Sequence, residues 1–122
     1  MFDSALILIA HGSKDPRWRL PFEKLDQSLR SDLGEGHIFL CYMEFAKPTL
    51  MQAVEKAVNA GIRQIKILPL FMAGGAHLDK DIPPMVDEVK KAFPDLKILM
   101  FSPIGEHPKF AQLIYELAVE SA

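Results

Sequence analysis

An α/β fold, a three-layer sandwich with a four-stranded parallel sheet, is what this sequence predicts, and two observations predict it. Short apolar runs of strand type alternate four times with segments of helical periodicity, and the first run is apolar at almost every residue rather than at every second one. Such alternation joins parallel strands by right-handed crossovers, and an uninterrupted apolar run marks a strand covered on both faces. The flavodoxin-like strand order, second-first-third-fourth, puts the topological switch point between the first and third strands, where open sheets of this kind bind ligands beyond the carboxyl ends.

Residues 4–10 form the first strand. Asp15 then caps a helix with Pro16 at its first position; Trp18, Phe22, Leu25 and Leu29 recur at helical spacing, and Gly34 and Gly36 end it. Residues 37–43, rich in Ile, Phe, Leu and Tyr, read as the second strand. A helix from about Pro48 carries Leu50, Val54, Ala57 and Val58 on one face and stops at Gly61. The third strand is 63–70. Asp81 is the expected cap of a helix that starts Ile82-Pro83-Pro84, presents Met85, Val89 and Phe93, and ends before Pro94. The fourth strand is 96–101, and a last helix over 108–120 turns Phe110, Leu113, Ile114 and Leu117 inward. One domain spanning 1–122 accounts for the length, and no second domain, linker or low-complexity segment breaks it.

With 49% apolar residues the chain can bury a full core, and a formal charge of −2, from 14 basic and 16 acidic residues, provides no polybasic field for nucleic acid or an anionic membrane. No apolar run approaches the roughly 18 residues that span a bilayer, and the start has no basic flank of signal-peptide type. The single cysteine, Cys41, falls in a strand and excludes an intrachain disulfide framework. A cytoplasmic protein is expected.

Chemistry-bearing residues gather at the carboxyl ends of the strands. His11 follows the first strand in His11-Gly12-Ser13-Lys14-Asp15-Pro16, and His77 follows the third after Gly74-Gly75, again with an aspartate four residues on and a proline close behind. Glu44 lies just past the second strand. Two imidazoles and a carboxylate can hold a divalent first-row metal with positions left open, and the imidazoles can take protons near neutral pH. Lys14, Arg17 and Arg19 after His11, and Lys80 after His77, are candidates to meet carboxylates at the rim. Gly12, Gly74 and Gly75 permit close backbone approach or a tight strand-to-helix turn. His37 starts a strand, at the wrong edge, and His107 precedes a helix start. No Gly-x-Gly-x-x-Gly or Gly-Lys-Ser/Thr element is present, so a nucleotide fingerprint is absent.

The three segments His11-Gly12-Ser13-Lys14-Asp15-Pro16, Glu44-Phe45-Ala46-Lys47-Pro48-Thr49 and Pro69 to His77 with Asp81-Ile82-Pro83 resemble the short, single-domain CbiX-type sirohydrochlorin cobaltochelatases of the class II chelatase family. The resemblance covers nearly the whole chain in order. It implies a chelatase-like half-domain that works as a homodimer, and ATP-independent insertion of Co²⁺ into sirohydrochlorin on the way to cobalamin, with Fe²⁺ or Ni²⁺ insertion in close relatives. The metal is then a substrate and no cofactor is permanently bound. His11, His77 and Glu44 become the metal-binding and catalytic residues, while Ser13, Lys14, Arg17, Gly74, Gly75 and Lys80 become the residues that bind the anionic tetrapyrrole. An apolar rim of Phe71, Met72 and Leu78 would cover the ring, and Lys47 stands where the family commonly has an acidic residue. The rival class is a carrier that holds metal or tetrapyrrole at the same site without turnover, and a weaker one is a flavodoxin-like regulatory module that binds no metal.

Overall fold

In a computed structural model, which describes residues 2–75 and 80–121, the centre of the molecule is the strand β1 (Ser4–Ala10). Ile7, Ile9 and Ala10 are fully buried and Leu8 nearly so, which is what an unbroken apolar strand achieves when both its neighbours and both its faces are covered. It pairs in parallel with β2 (Ile38–Tyr42) on one side and β3 (Gln64–Pro69) on the other, and β3 pairs with β4 (Lys97–Met100). The order β2-β1-β3-β4 is the expected one. The helices α1 (Pro16–Leu33), α2 (Leu50–Asn59), α3 (Ile82–Ala92) and α4 (Pro108–Glu120) alternate with the strands, and a 3₁₀ turn at Ile104–Glu106 precedes the last.

Strand pleating sorts the core into two layers. Ile7, Ile9, Ile65 and Ile67 point to one face, where Leu50, Val54 and Ala57 of α2 and Ile82 and Val89 of α3 pack on them. Leu8, Ala10, Leu40 and Tyr42 point to the other, where Phe22 and Leu29 of α1 lie. Among the described residues no helix is long and apolar enough to cross a membrane.

The helix starts differ from the sequence reading in two places. α2 starts at Leu50 rather than at about Pro48, and Thr49 caps it through a reciprocal capping box in which Gln52 N donates to Thr49 Oγ1 at 3.2 Å and Thr49 N donates to Gln52 Oε1 at 2.9 Å. Asp81 already has helical backbone angles, φ −93° and ψ −39°, and its side chain makes no capping bond, so Ile82-Pro83 starts α3 through the fixed φ of proline rather than through a cap.

Two helices also show a face that the periodicity assigned to the core. Trp18 is 71% exposed and Leu25 is exposed as well, so only Phe22 and Leu29 of the predicted stripe reach the sheet. On α4 only Phe110 of the expected stripe is partly covered, because none of its residues is fully buried and Leu113, Ile114 and Leu117 are all about half exposed. Helical spacing reports that a face is apolar, not what covers it.

The buried position on α1 is instead Asp26. Its carboxylate meets Arg30 at 3.0 Å, yet one oxygen, Oδ1, has no hydrogen-bond partner. Loss of hydration pushes its pKa above the ordinary value of 3.8, and the attraction of Arg30 does not reverse the direction. A carboxyl with a raised native pKa binds its proton more tightly folded than unfolded. Its stabilising contribution is therefore complete below the unfolded pKa and is lost as pH rises through the native one. Asp26→Asn should accordingly raise the melting temperature at pH 7, with the gain disappearing near pH 3; thermal melts followed by circular dichroism at the two pH values check this, and a lower melting temperature at pH 7 would contradict it.

Candidate active site

Because β1 is buried from Ile7 to Ala10, His11 is the next side chain able to reach solvent, and it does so at the carboxyl end of the sheet. Its ring stacks on Phe71, centroids 4.0 Å apart and planes 27° apart. Phe71 is buried, so it serves as the wall against which the imidazole is held rather than as an exposed rim residue. The end of β2 is bound to the same place by main-chain bonds beyond the regular ladder: Met43 N donates to the Ala10 carbonyl at 2.8 Å and Glu44 N to the His11 carbonyl at 3.1 Å. His11 and Glu44 are thus neighbours through their backbones, both exposed at the mouth.

Gly12 makes that juxtaposition possible. It has φ +92°, and a Cβ there would overlap the carbonyl oxygen of Glu44. Beyond it the turn is closed by hydrogen bonds from Asp15 N to Ser13 Oγ at 3.1 Å and from Arg19 Nη1 to the Ser13 carbonyl at 2.7 Å. Asp15 then caps α1 by accepting from Arg17 N at 2.9 Å. The guanidinium of Arg17 folds back on the same carboxylate at 2.7 Å and holds its pKa below the usual aspartate range. Of the basic residues after His11, Lys14 is directed to the site: its Nζ stands 5.6 Å from the centre of the Phe45 ring.

Phe45 is the site residue that sequence reasoning missed. It is 60% exposed and has φ +62°, a region that a bulky side chain rarely occupies. An aromatic ring held in solvent by a disfavoured backbone, next to Glu44 and Lys14, is the arrangement that marks functional loops. A signal was present in the phenylalanine that directly follows a strand-end carboxylate, but its backbone angle could not be read from the chain.

The other arm of the site starts at the end of β3. Met72 is exposed, while the Gly74 amide donates to a carboxylate oxygen of Glu106 at 2.8 Å and Gly105 N donates to the Phe71 carbonyl at 3.0 Å. The turn after β4 therefore anchors the segment after β3. Around Gly75 a Cβ would meet nothing within 4 Å, and Lys80 is exposed just before α3. His77 and Leu78 lie outside the described residues, and among the described residues no group of three His, Cys, Asp or Glu side chains is placed to hold a metal ion.

The two remaining histidines have structural roles. His37 packs against Phe2 at the opposite edge, centroids 3.8 Å apart and planes tilted by 35°, and His107 caps α4 by accepting from Lys109 N at Nδ1, 3.0 Å. Cys41 is fully buried in β2, and burial pushes its thiol up to about 12.

Residues 5–121 match the CbiX family model. The chain belongs to the CbiX family. The sirohydrochlorin cobaltochelatase of Sulfurisphaera tokodaii is 31% identical to it over 117 residues, which are 94% of this chain and 91% of that protein. In structure it is similar to a putative cobalamin-biosynthesis CbiX protein from Marinobacter aquaeolei, with a TM-score of 0.82, 35% identity and coverage of 97% and 96% of the two chains. The fold also matches the cobalt complex of the sirohydrochlorin chelatase SirB from Bacillus subtilis, at TM-score 0.83 and 20% identity; 98% of this CbiX chain then covers 51% of SirB. SirB is about twice as long.

The close packing of Gly12 under Glu44 has a measurable consequence. Gly12→Ala should lower unfolding stability by about 2 kcal/mol or more, because it adds a Cβ at positive φ and forces the two strand ends apart. Urea unfolding compared with Gly75→Ala, where space is open, checks it, since the second variant should change stability little.

Proposed function

We propose that the protein is a sirohydrochlorin chelatase that inserts a divalent metal, Co²⁺, into the tetrapyrrole without ATP, as a single-domain chain of 1–122 acting as a homodimer in the cytoplasm. The observation that carries this reading is the coupling of His11 to Glu44 at the carboxyl end of the sheet, exposed and held by main-chain bonds. Membership of the CbiX family and the named activity of the Sulfurisphaera relative support it. The buried, free Cys41 suits a reducing compartment.

Metal insertion has three chemical demands: the ion must shed water, two pyrrole N–H protons must leave, and a flat anionic macrocycle must be held while both occur. An exposed imidazole and carboxylate answer the first as weak, open ligands that can release the ion again. His77 completes the ligand set in this reading. The imidazole and the carboxylate each accept one pyrrole proton and pass it to water, so the two protons lost offset the two positive charges that the ion brings into the ring. Phe45 and Met72 supply apolar surface for the macrocycle. Lys14, with Ser13 and Lys80, meets its carboxylates and accounts for an anionic substrate on a chain of net charge −2. Arg17 joins them only by leaving Asp15. Gly74 and Gly75 let the ring edge approach the backbone.

His11→Ala should lower the turnover number for Co²⁺ insertion about a hundredfold or more while leaving the circular dichroism spectrum unchanged. Absorption spectra with catalytic protein and excess sirohydrochlorin and Co²⁺ provide the readout. A wild-type rate in this variant and in His77→Ala would defeat the assignment, and a shift that stops at one equivalent of protein would identify a carrier. Parallel assays with Fe²⁺ and Ni²⁺ decide the metal.

Phe45→Ala should act differently. Loss of a stacking surface worth about 1 kcal/mol raises KM for the tetrapyrrole roughly fivefold and spares the turnover number. An unchanged KM would remove Phe45 from the binding surface.

A further inference from the structure

The two outer strands end the sheet differently. β4, at one edge, opens with the exposed Lys97, a charge of the kind that keeps a free edge from pairing. β2, at the other edge, reads Ile-Phe-Leu-Cys-Tyr and contains no charge, proline or glycine. Met43 N donates to the Ala10 carbonyl and Leu6 N to the His37 carbonyl, so the parallel ladder with β1 uses the main-chain groups of Phe39 and Cys41 between them. Those of Ile38, Leu40 and Tyr42 point outward. Tyr42 N donates to the Pro48 carbonyl at 2.9 Å, so this side pairs where a carbonyl reaches it. Among the described residues nothing bonds the outward main-chain groups of Ile38 and Leu40.

Beside this edge runs a groove of about 830 Å³ between α1 and α2. Three of the four buried side-chain polar atoms that lack a partner among the described residues belong to its lining: Asp26 Oδ1, Arg30 Nε and the Tyr42 hydroxyl. Burial, with the carboxylates of Glu23 and Asp26 nearby, pushes the Tyr42 phenol up to about 12, so it remains a proton donor. A groove whose polar groups have lost water and gained no protein partner fits an occupant that carries both donors and acceptors. A peptide main chain carries both. The walls differ in charge. Glu23 and Asp26 come from α1, where Arg30 pairs with Asp26 at 3.0 Å and Arg19 stands 4.0 Å from Glu23. Lys56 comes from α2 and Lys47 from the loop before it, and among the described residues neither makes an ion pair.

Successive residues of a strand alternate between the two faces of a sheet, so a strand added here sets one series of side chains beside α1 and the other beside α2. We infer that β2 is a docking edge for an extended peptide of alternating basic and acidic residues, one that pairs its main chain with Ile38 and Leu40, lays its basic side chains against Glu23 and Asp26 and its acidic ones against Lys47 and Lys56. The Pro48 carbonyl already occupies the next position, at Tyr42, and ends the ladder there. The occupant is therefore short, about four or five residues in contact, and it stops before His11 and Glu44.

The probe is the hexapeptide acetyl-Lys-Glu-Lys-Glu-Lys-Glu-amide, added to the full chain while amide hydrogen exchange is followed by NMR. Without it, the amides of Ile38 and Leu40 should exchange faster than those of Phe39 and Cys41, and about 1 mM probe should slow them about tenfold. Lys56→Glu, a change at an exposed position, should weaken binding of the probe about threefold and strengthen that of hexalysine. No slowing at Ile38 and Leu40 leaves the groove to water and overturns the docking. So does a slowing that persists when every main-chain nitrogen of the probe is methylated, since such a peptide cannot donate to the edge. Exchange at the two amides that is slow in the free chain and slows further with protein concentration assigns the edge to a second copy and overturns the peptide. Unchanged binding of both peptides by Lys56→Glu overturns the charge pattern that defines the occupant.

Discussion

The constraint on which the rest of the molecule depends is the burial of β1 from Ile7 to Ala10. With Ile7, Ile9 and Ala10 fully buried between two strands and two helix layers, no polar side chain can appear until the chain leaves the sheet. His11 is the next residue. The burial that stabilises the core therefore also selects where chemistry can begin. The adjacent strand ends are tied to it by bonds that prolong the ladder: Met43 and Glu44 donate to the Ala10 and His11 carbonyls, and Leu70 donates to the Ile9 carbonyl at 2.8 Å. Three loops are brought to one edge because three parallel strands share one register.

Rigidity at that edge is unequal. On the β1 and β2 side the loop carries its own hold: Ser13 closes the turn, Asp15 caps α1, and Gly12 packs against the Glu44 carbonyl. On the β3 side the hold is indirect, through Glu106 and Gly105 in a turn that belongs to the next strand. A site with one firm wall and one dependent wall can admit a large planar ligand and close on it, provided that something fixes the dependent wall.

The parts of this arrangement that the amino-acid sequence announces are those set by local chemistry. Apolar runs of four to seven residues locate the strands, Asp15-Pro16 and Gly34 bound α1, and the order of strands and helices yields the sheet topology and its switch point. His11 and Glu44 follow from that topology, since they are the polar residues at strand carboxyl ends. What the sequence withholds depends on non-local packing. The apolar stripe of α4 reads the same whether its own sheet or another chain covers it, and so does the flank of α1 with Trp18 and Leu25. Asp26 occupies a helix position that periodicity gives to solvent, and only the lean of α1 over β2 buries it. Phe45 carries a backbone angle that its residue type argues against, so propensity points away from it.

The openness of the site bears on what it can do with a metal. A storage or structural site closes its coordination shell with four protein ligands and retains the ion. Here the described ligand candidates are one imidazole, stacked on a buried ring but open at the edge of the sheet, and one carboxylate in solvent. Even with a second imidazole the protein would supply fewer donors than a first-row ion accepts, and the remaining positions would stay with water or pass to an incoming ring nitrogen. Four pyrrole nitrogens of a macrocycle bind more tightly than three separate side chains can. In the proposed reading the ion would therefore be drawn from the protein into the ring with no hydrolysis of ATP to move it. A weak, exposed and one-sided ligand set is for that reason the arrangement suited to handing a metal over.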